Sequence, residues 1–292
     1  MCPRIHSLSP MSQTMTVAPD RRVIFSADDF GMSVEVNEAI EEAHRNGLLS
    51  TASLMVAAPA FEDALRRAQR MPNLKLGLHL VVIEGDSLLH LPIITDQKGW
   101  FGSNQLALGF QYFFSPATRA ALKKEIHAQF QQFARTGLEL NHANAHKHMH
   151  LHPTIGHIML HVGKAYGLKA VRTPMEPAAP LGEKPSLGDR ALEQWTRILR
   201  HQIHNAGMKT NDSCFGLRWS GHMTPERIHH LIPQLPPGVS EIYFHPAKGQ
   251  NNQMAALMPG YQPEQELATL TSPATKDLLT VNAIQTTTWD AL

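Results

Sequence analysis

The chain is constrained most by a repeated alternation of short apolar runs with amphipathic helices. Apolar runs at residues 23–25, 53–56 and 74–80 are each followed by a polar turn and then by apolar residues at helical spacing. Runs near 138–145, 169–172, 209–212, 241–245 and 284 predict the remaining strands. Seven or eight strands, each followed by a helix, predict an α/β fold with a parallel sheet, closed or nearly closed as a (β/α) barrel. A doubly wound open sheet is the alternative, and it is disfavoured because no glycine-rich phosphate loop follows the first strand.

Net charge and cysteine content exclude several functional classes. Lys and Arg total 26 and Asp and Glu total 25, so the net charge of +1 gives no basic field that would attract nucleic acid or anionic lipid. Two cysteines cannot form a disulfide framework or a cysteine-rich zinc site. The longest uncharged stretch, residues 99–118, is interrupted by Asn, Gln, Ser and Gly, so we expect no transmembrane segment. A cytoplasmic protein is the default expectation, and peripheral attachment to a membrane and homo-oligomer formation stay open.

We expect one folded domain preceded by a leader. Residues 1–20 lack the apolar core of a secretory signal and are interpreted as a disordered leader. Residues 21–292 form the predicted barrel domain, with an aromatic-rich insertion at about 84–115. Six aromatic residues fall within residues 100–114, downstream of the strand that ends near His79. This segment should overhang the carboxyl ends of the strands, either as packing against the barrel or as an apolar wall for a substrate.

In a parallel (β/α) fold the ligand lies at the carboxyl ends of the strands, and polar residues concentrate there in this chain. They are Asp28, Asp29, His79, the histidines between His142 and His152, Arg172 and His245. Adjacent residues on an extended strand point to opposite faces, so Asp28 and Asp29 are expected to play two different roles rather than to chelate as a pair. The alternative explanation for the two aspartates is that they have no catalytic role and only interact favourably with the positive end of the dipole of the helix that follows.

The segment 141–153 is the strongest local signal, because it contains five histidines at even-numbered positions. If the segment is extended, these side chains share one face, and neighbours two residues apart lie roughly 6.6 Å from each other. Two such imidazoles can reach one ion whereas all five cannot, so the others are available for substrate or for supporting contacts. A histidine-rich metal-storage tract is the alternative, disfavoured because the segment ends a predicted strand rather than lying in a tail.

One aspartate and two histidines form a facial ligand set with open positions, which is typical of a catalytic divalent-metal site. At such a site the pKa of a bound water falls and the ion polarises a carbonyl group. Asp28 as the base for that water and a histidine as the acid for the leaving group predict hydrolysis of an amide or an ester. Two imidazole ligands favour zinc over magnesium.

Together these landmarks resemble the YdjC-like carbohydrate deacetylases, in that family's order and from about residue 22 to the C-terminus. The landmarks are Ser26-Ala27-Asp28-Asp29-Phe30-Gly31, Gly77-Leu78-His79, the histidine-rich strand, Arg172-Thr173-Pro174-Met175-Glu176 and Glu241-Ile242-Tyr243-Phe244-His245-Pro246. The His-Lys-His-Met-His-Leu-His-Pro segment at 146–153 is most similar to the branch associated with hopanoid biosynthesis. The resemblance implies an incomplete or distorted (β/α) barrel and a divalent metal, recorded as magnesium in relatives. It also implies removal of the N-acetyl group from an amino sugar, which in the hopanoid branch is lipid-linked.

Carried over by position, the resemblance implies a role for each strand-end residue. The metal ligands would be Asp29, His79 and His146. The catalytic residues would be Asp28 as base, His245 as acid, and Arg172 as the group that holds the base or the substrate. Further candidates for substrate contact are His148, His150, Glu176, Phe110 and Tyr112. The chain departs from the pattern at Asn144-Ala145-His146, where relatives often have Asp-Ser-His, and this removes a carboxylate near the metal.

Two other functions are compatible with the sequence. A metal-dependent sugar isomerase or phosphoesterase on the same barrel would need more carboxylates or a second ion site, and Glu176 is the main spare carboxylate. A non-catalytic metal-binding protein would bind several ions and release no acetate from an acetylated sugar. The acetylated substrate and the native metal stay open at this level.

Overall fold

The computed structural model describes residues 20–292, so nearly all of the expected leader at 1–20 lies outside the described residues. The strands are β1 (Arg21–Phe30), β2 (Thr51–Leu54), β3 (Lys75–Leu80), β4 (His142–Ala145), β5 (Ser213–Phe215), β6 (Gly238–Phe244) and β7 (Gln285–Thr286). The helices are α1 (Val34–Asn46), α2 (Phe61–Ala68), α3 (Gln105–Phe114), α4 (Pro116–Arg135), α5 (Pro153–Ala165), α6 (Leu187–Asn205), α7 (Pro225–Leu231), α8 (Asn252–Leu257), α9 (Pro263–Thr271) and α10 (Pro273–Val281). Short 3₁₀ helices cover His146–Leu151, Ala179–Leu181, Ile232–Gln234 and Trp289–Ala291.

The strands form one parallel sheet in the order β4-β3-β2-β1-β6-β5, with β7 paired to β1. Beyond β4 the ring continues through two single parallel bridges, from Ala143 to Val171 and from Ala170 to Lys209, toward the segment that leads into β5. This curled, irregular ring with helices outside it confirms the predicted distorted (β/α) barrel. The prediction of regular strands at 169–172 and 209–212 is wrong, because each segment pairs only through these single bridges. Pro174 closely follows the first segment, and it lacks the backbone N–H that a longer ladder would need.

The helices begin where the sequence supplies capping groups. Ser33 accepts a hydrogen bond from the backbone N–H of Val36 at the start of α1, and Ser115 accepts one from Thr118 at the start of α4. Pro116 follows directly as the first residue of α4, where its missing N–H has no cost. These caps fix where each helix leaves the strand before it.

The aromatic insertion contains a helix rather than a continuous loop. Helix α3 is capped by Asn104, and its inner face buries Leu108 and Tyr112. The Tyr112 hydroxyl donates to the backbone carbonyl of Val82 at 2.8 Å. On the outer face Phe110 is 70% exposed, so the two residues predicted together lie on opposite sides of one helix.

Side chains that point into the ring are apolar near the amino ends of the strands and polar toward their carboxyl ends. On β1, Val23, Phe25 and Ala27 join the large core between sheet and helices, whereas Ile24 packs with Ala170, Val239 and Trp289 inside the ring. Further along, the inward positions are polar and buried: Ser26, Asp28, Ser53 and Glu241. The period of two in each strand therefore separates an apolar outer core from a polar interior that leads to the carboxyl ends.

Packing inside this ring explains why position 77 is a glycine. Gly77 pairs directly with His142 across β3 and β4, and a Cβ at Gly77 would lie 2.4 Å from atoms of the His142 ring. The His142 ring is buried and stacks on Trp289, with ring centroids 5.2 Å apart. The glycine before Leu78-His79 therefore leaves room for an imidazole that closes the amino end of the ring.

We predict that Gly77→Ala lowers the free energy of unfolding by about 1–3 kcal/mol, because the added methyl group overpacks against His142. Combining it with His142→Ala should recover part of this loss, which chemical denaturation in a double-mutant cycle can measure. Gly102→Ala is the matched control, since its Cβ would meet nothing nearer than Leu108 at 3.9 Å. Strictly additive losses for the Gly77 and His142 variants would contradict this account.

Candidate metal and catalytic site

Three strand ends bring Asp29, His79 and His146 together, and we call this group the triad. Asp29 lies at the end of β1, His79 near the end of β3, and His146 directly after β4. Asp29 Oδ1 lies 3.1 Å from His79 Nε2 and 3.2 Å from His146 Nδ1. The two ring nitrogens are 3.3 Å apart, and all three side chains are buried. The structure thus places the three predicted ligands within reach of one point.

The donor set of the triad fits a divalent cation. One ligand atom from each residue lies within 4.8 Å of the other two. The second carboxylate oxygen of Asp29, Oδ2, is buried and has no hydrogen-bond partner among residues 20–292. Burial disfavours ionisation of Asp29, but His146 and His79 outweigh it and hold the pKa of the carboxyl well below its usual value. A buried carboxylate with a free oxygen beside two imidazoles has the chemistry of a cation site. That the triad binds a metal stays a prediction.

The backbone at Asp29 corrects the expectation that Asp28 and Asp29 face opposite sides. Asp29 has φ +63°, and the pairing of β1 with β2 is irregular between Ala27 and Phe30. A left-handed residue breaks the alternation of an extended strand, so both carboxylates reach the same cavity. They still differ in their contacts, because Asp29 meets the triad imidazoles and Asp28 meets Arg172.

The histidine-rich segment does not stay extended, and the expectation of one shared face is wrong. Strand β4 ends at Ala145, and the 3₁₀ helix that follows has φ +50° at Lys147 and φ +53° at His148. The later histidines therefore diverge. His148 Nε2 lies 2.9 Å from the Tyr243 hydroxyl, His150 Nε2 3.0 Å from the carbonyl of Arg172, and His152 Nε2 3.0 Å from the carbonyl of Gly109.

Asp28 belongs to a buried ion-pair network with Arg172 and Glu241, which we call the charge clamp. Arg172 Nη1 donates to Asp28 Oδ2 at 2.6 Å, and Arg172 Nη2 donates to Asp28 Oδ1 at 3.0 Å. On its other edge Arg172 donates from Nε and Nη2 to the two oxygens of Glu241, at 2.8 and 2.7 Å. Burial disfavours ionisation of Asp28, yet Arg172 and then His79 lower the pKa of this carboxyl far below its usual value. The clamp keeps Asp28 ionised and oriented.

Sequence reasoning quoted Glu241 and Tyr243 within a motif and named Asn144 as a departure from the family pattern, but it gave none of them a role, and it missed Ser53. Ser53 Oγ donates to Asp28 Oδ1 at 2.9 Å, and Tyr243 places its ring 4.5 Å from the Arg172 guanidinium carbon. Ser53 could have been found, because it lies near the end of β2 as Asp28 and His79 do in their strands. Tyr243 and Glu241 share the inward face of β6 without a comparable signal, because Glu241 lies in the middle of the strand and Tyr243 is one of the aromatic residues expected in a buried strand.

A cavity of about 110 Å³ opens above the triad and the charge clamp. His245 lines it from the end of β6, between the rings of Tyr243 and Tyr261 at centroid distances of 5.6 and 5.3 Å. The backbone N–H of His245 donates to Glu266 Oε2 at 2.5 Å, which fixes the start of the loop. Its Nδ1 is buried and unpaired within the described part of the chain.

The predicted substrate contacts divide into two groups. His148 lines the cavity, and Phe110 lies on an adjacent apolar surface. His150 is fully buried beneath Arg172, and Tyr112 is held in the core. Glu176 accepts hydrogen bonds from the backbone N–H groups of Gly216, Leu217 and Arg218, all at 2.9 Å, and so supports a loop rather than facing the cavity.

The chain is similar to known proteins over most of its length. The family model of the YdjC-like protein matches residues 22–281. A carbohydrate deacetylase of Vibrio cholerae is 37% identical over 145 residues, which are 50% of this chain and 56% of the relative, so that match spans little more than half of the relative. A carbohydrate deacetylase of Geobacillus stearothermophilus is 30% identical over 254 residues, 87% of this chain and 90% of the relative.

A solved structure shows the same fold. The crystal structure of a proposed cellobiose-phosphate cleavage protein from Enterococcus faecalis superimposes with a TM-score of 0.72 at 21% identity, covering 93% of this chain and 98% of that one. The family match extends over most of the described residues and includes every strand that contributes to the triad and the charge clamp. The chain belongs to the YdjC-like protein family.

Proposed function

We propose that this chain is a carbohydrate deacetylase that hydrolyses the N-acetyl group of an amino sugar. The observation that carries the proposal is the buried triad next to a second carboxylate, Asp28, which the charge clamp orients toward the same cavity. Membership in the YdjC-like family and the names of the curated relatives support a carbohydrate substrate. A sugar isomerase or phosphoesterase is disfavoured, because a single candidate ion site occurs among residues 20–292 and Glu176 is occupied by its loop.

Asp29, His79 and His146 would hold one divalent cation. The resemblance favours magnesium, whereas two imidazole ligands favour zinc, and the titration below separates them. Because Arg172 lowers the proton affinity of Asp28, the attacking water must itself be acidic. A divalent cation held by the triad would supply this acidity by lowering the pKa of water, and it would polarise the acetamide carbonyl.

The hydrogen bonds of Asp28 indicate which of its oxygens acts as the base. Oδ1 accepts from Ser53 at 2.9 Å, from Asn144 at 2.9 Å and from Arg172 at 3.0 Å, so its lone pairs are occupied. Among the described residues Oδ2 accepts only from Arg172 Nη1. Oδ2 therefore keeps the capacity to take a proton from water.

His245 is the proposed acid, since its ring lines the same cavity and its Nδ1 is unpaired within residues 20–292. In the reaction the water oxygen bonds to the acetyl carbon while its proton moves to Asp28. The C–N bond then breaks as His245 gives a proton to the leaving amine. The products are acetate and the free amino sugar, and the flanking rings of Tyr243 and Tyr261 hold the imidazole in place.

An apolar groove beside the cavity supports a lipid-linked substrate, as in the hopanoid-associated branch. Its volume is about 900 Å³, and its exposed walls come from α3 and α6, with Leu106, Phe110, Phe114 and Trp195. Lys147, His148 and Leu217 line both the groove and the cavity, so the two are continuous. Contiguous exposed apolar surface of this kind is typical of a binding site for an apolar ligand or a membrane. A sugar in the cavity would place an attached lipid in the groove, and this surface also favours peripheral membrane contact.

Within residues 20–292, no helix combines the length and the apolar character that a bilayer crossing requires.

We predict that the metal-free protein binds one divalent ion per chain at the triad. His79→Ala and Asp29→Ala should weaken binding by more than the roughly 10–100-fold typical of losing an outer-shell partner. Calorimetric titration with Zn²⁺ and with Mg²⁺ measures affinity and stoichiometry and identifies the preferred ion. His157→Ala on the exposed side of α5 is the matched control. Several ions per chain, retained in the His79 variant, would favour a storage protein instead.

The two aspartates should differ in what excess metal can restore. Asp29→Asn removes an anionic ligand, so we expect weak metal binding and partial recovery of acetate release at high metal concentration. Asp28→Asn leaves the triad intact, so metal content should persist while acetate release falls about 10²–10⁴-fold. Elemental analysis beside an acetate assay across a metal titration provides both readouts. If the Asp28 variant loses its metal and the Asp29 variant retains it, the two roles are exchanged.

The groove can be tested with two exposed residues. The double variant Phe110→Ala and Phe113→Ala should slow deacetylation of a lipid-linked amino sugar strongly but leave a short chitooligosaccharide nearly unaffected, with an unchanged melting temperature. Tyr112→Ala on the buried face of α3 is the contrasting control, since loss of a large buried ring should cost roughly 3–5 kcal/mol of stability. Equal rate losses on both substrates in the double variant would leave the outer face of α3 without a role in substrate binding.

A further inference from the structure

We infer that Asn144 is a positioning residue that sets both the orientation of Asp28 and the ring state of His79 through one amide group. The inference rests on the proposed function for its effect on catalysis, but its structural content is independent of that function. Asn144 lies on β4 and is fully buried between the charge clamp and the triad. It touches one member of each.

The sheet register places Asn144 where it can do this. Asn144 pairs directly with His79 across β3 and β4. Directly opposed residues of neighbouring strands carry adjacent side chains, so the register itself brings the amide to the imidazole. Asn144 Oδ1 lies 2.7 Å from His79 Nδ1, and Asn144 Nδ2 donates to Asp28 Oδ1 at 2.9 Å.

The contacts permit a single orientation of the amide. Both oxygens of Asp28 accept hydrogen bonds from the Arg172 guanidinium, the geometry of a carboxylate that can only accept, so the NH₂ group of Asn144 must face it. The amide carbonyl then faces His79 and can only accept, which requires the proton of His79 to be on Nδ1. Ser53 Oγ agrees with this assignment, because it donates to Asp28 and is left to accept near His79 Nδ1 at 3.1 Å.

The consequence for the triad is specific. With Nδ1 engaged by Asn144, Nε2 is the nitrogen left to face the triad, 3.1 Å from Asp29 Oδ1 and 3.3 Å from His146 Nδ1, and its lone pair is the one available to a cation. A hydrogen bond on the remote nitrogen fixes the tautomer and orientation of a metal-binding imidazole. Asn144 therefore prepares His79 for a cation while it holds Asp28 Oδ1 and leaves Oδ2 with Arg172 as its one partner among the described residues.

Relatives often have Asp at this position, but next to Asp28 as this chain places it a carboxylate at position 144 could perform only half of this task. It could accept from His79 Nδ1, but it could not donate to Asp28, and it would set two acceptor oxygens about as close as the present 2.9 Å contact. Asn144→Asp thus removes the contact to Asp28 and keeps the contact to His79. Asn144→Leu removes both contacts at similar volume. Ser53→Ala removes a donor to Asp28 from a neighbouring strand, together with the longer contacts of Ser53 Oγ to His79 Nδ1 at 3.1 Å and to Asn144 Nδ2 at 3.2 Å. It leaves the amide contacts to Asp28 and His79 in place.

Three measurements on these variants test the inference: divalent-ion affinity of the metal-free protein by calorimetry, kcat and KM for acetate release, and ¹⁵N spectra of histidine-labelled, zinc-titrated protein. We expect Asn144→Asp and Ser53→Ala to retain or tighten ion binding and to lose kcat about 10–100-fold with little change in KM. In Asn144→Leu we expect ion affinity to fall about 10–100-fold as well, as for other outer-shell losses. The His79 signal should report a proton on Nδ1 in the wild type and in Asn144→Asp. In Asn144→Leu it should report a mixture of tautomers.

The outcomes separate this inference from the proposed function. Unchanged ion affinity, kcat and His79 spectrum in Asn144→Leu would overturn the positioning role, as would equal loss of ion affinity in Asn144→Asp and Asn144→Leu. If Asn144→Leu does not fold, the Asn144→Asp and Ser53→Ala pair decides through the split between kcat and ion affinity. If the wild type releases no acetate, the proposed function fails, while the affinity and the ¹⁵N spectra still decide the role of Asn144. Asn205→Leu, at an exposed position on α6, controls for unspecific effects of the substitution.

Discussion

The buried pairing of Arg172 with Asp28 and Glu241 is the interaction on which the rest of the structure depends. Charged groups inside the ring lose solvation, and only complete pairing with good geometry offsets that loss. The clamp supplies it by giving Arg172 two contacts to each carboxylate. It also joins β1, β6 and the segment at 169–172, which otherwise holds to the sheet by single bridges. Removing Arg172 would leave two carboxylates buried without their partner, at a cost of about 3–5 kcal/mol. The group that orients the proposed base is thus also a structural element of the barrel.

The site above the clamp depends on places where the backbone leaves regular geometry. Asp29, Lys147 and His148 all have left-handed φ values, and they lie on either side of the triad. Such conformations cost about 1–3 kcal/mol each and persist only where neighbouring contacts hold them. Here the contacts are those of the triad at Asp29, the Tyr243 hydroxyl at His148, and the ion pair of Lys147 with Glu84. The same turn that stops β4 carries His148 to the boundary between the cavity and the apolar groove, so it shapes both the ion site and the surface proposed for the substrate.

Much of the candidate site was predictable, because its residues are marked by where their strands end. Asp29 and His79 are polar residues at the ends of apolar runs, and parallel strands bring such ends to one edge. The contacts of Glu241 and Asn144 were not predictable in this way. Glu241 is a carboxylate in the middle of a buried strand, so its role can be recognised only once its partner is known. That partner, Arg172, lies 69 residues earlier in the chain. The separation of Tyr112 from Phe110 likewise required knowing which face of α3 meets the core.

The sequence by itself determined the order of strands and helices, the parallel barrel and the strand-end positions from which the triad is drawn. These follow from hydrophobic periodicity, which is a local property of the chain, whereas the choice of Asp29, His79 and His146 among the strand-end residues came from the resemblance to the YdjC-like family. The tertiary structure decided the paths of the histidine-rich segment after Ala145 and of the two aspartates after Ala27. An extended pattern in the sequence states where side chains would point if the strand continued. Whether it continues is settled by the hydrogen bonds and ion pairs that its residues make with distant strands, and here those contacts favour a left-handed turn at each edge of the site.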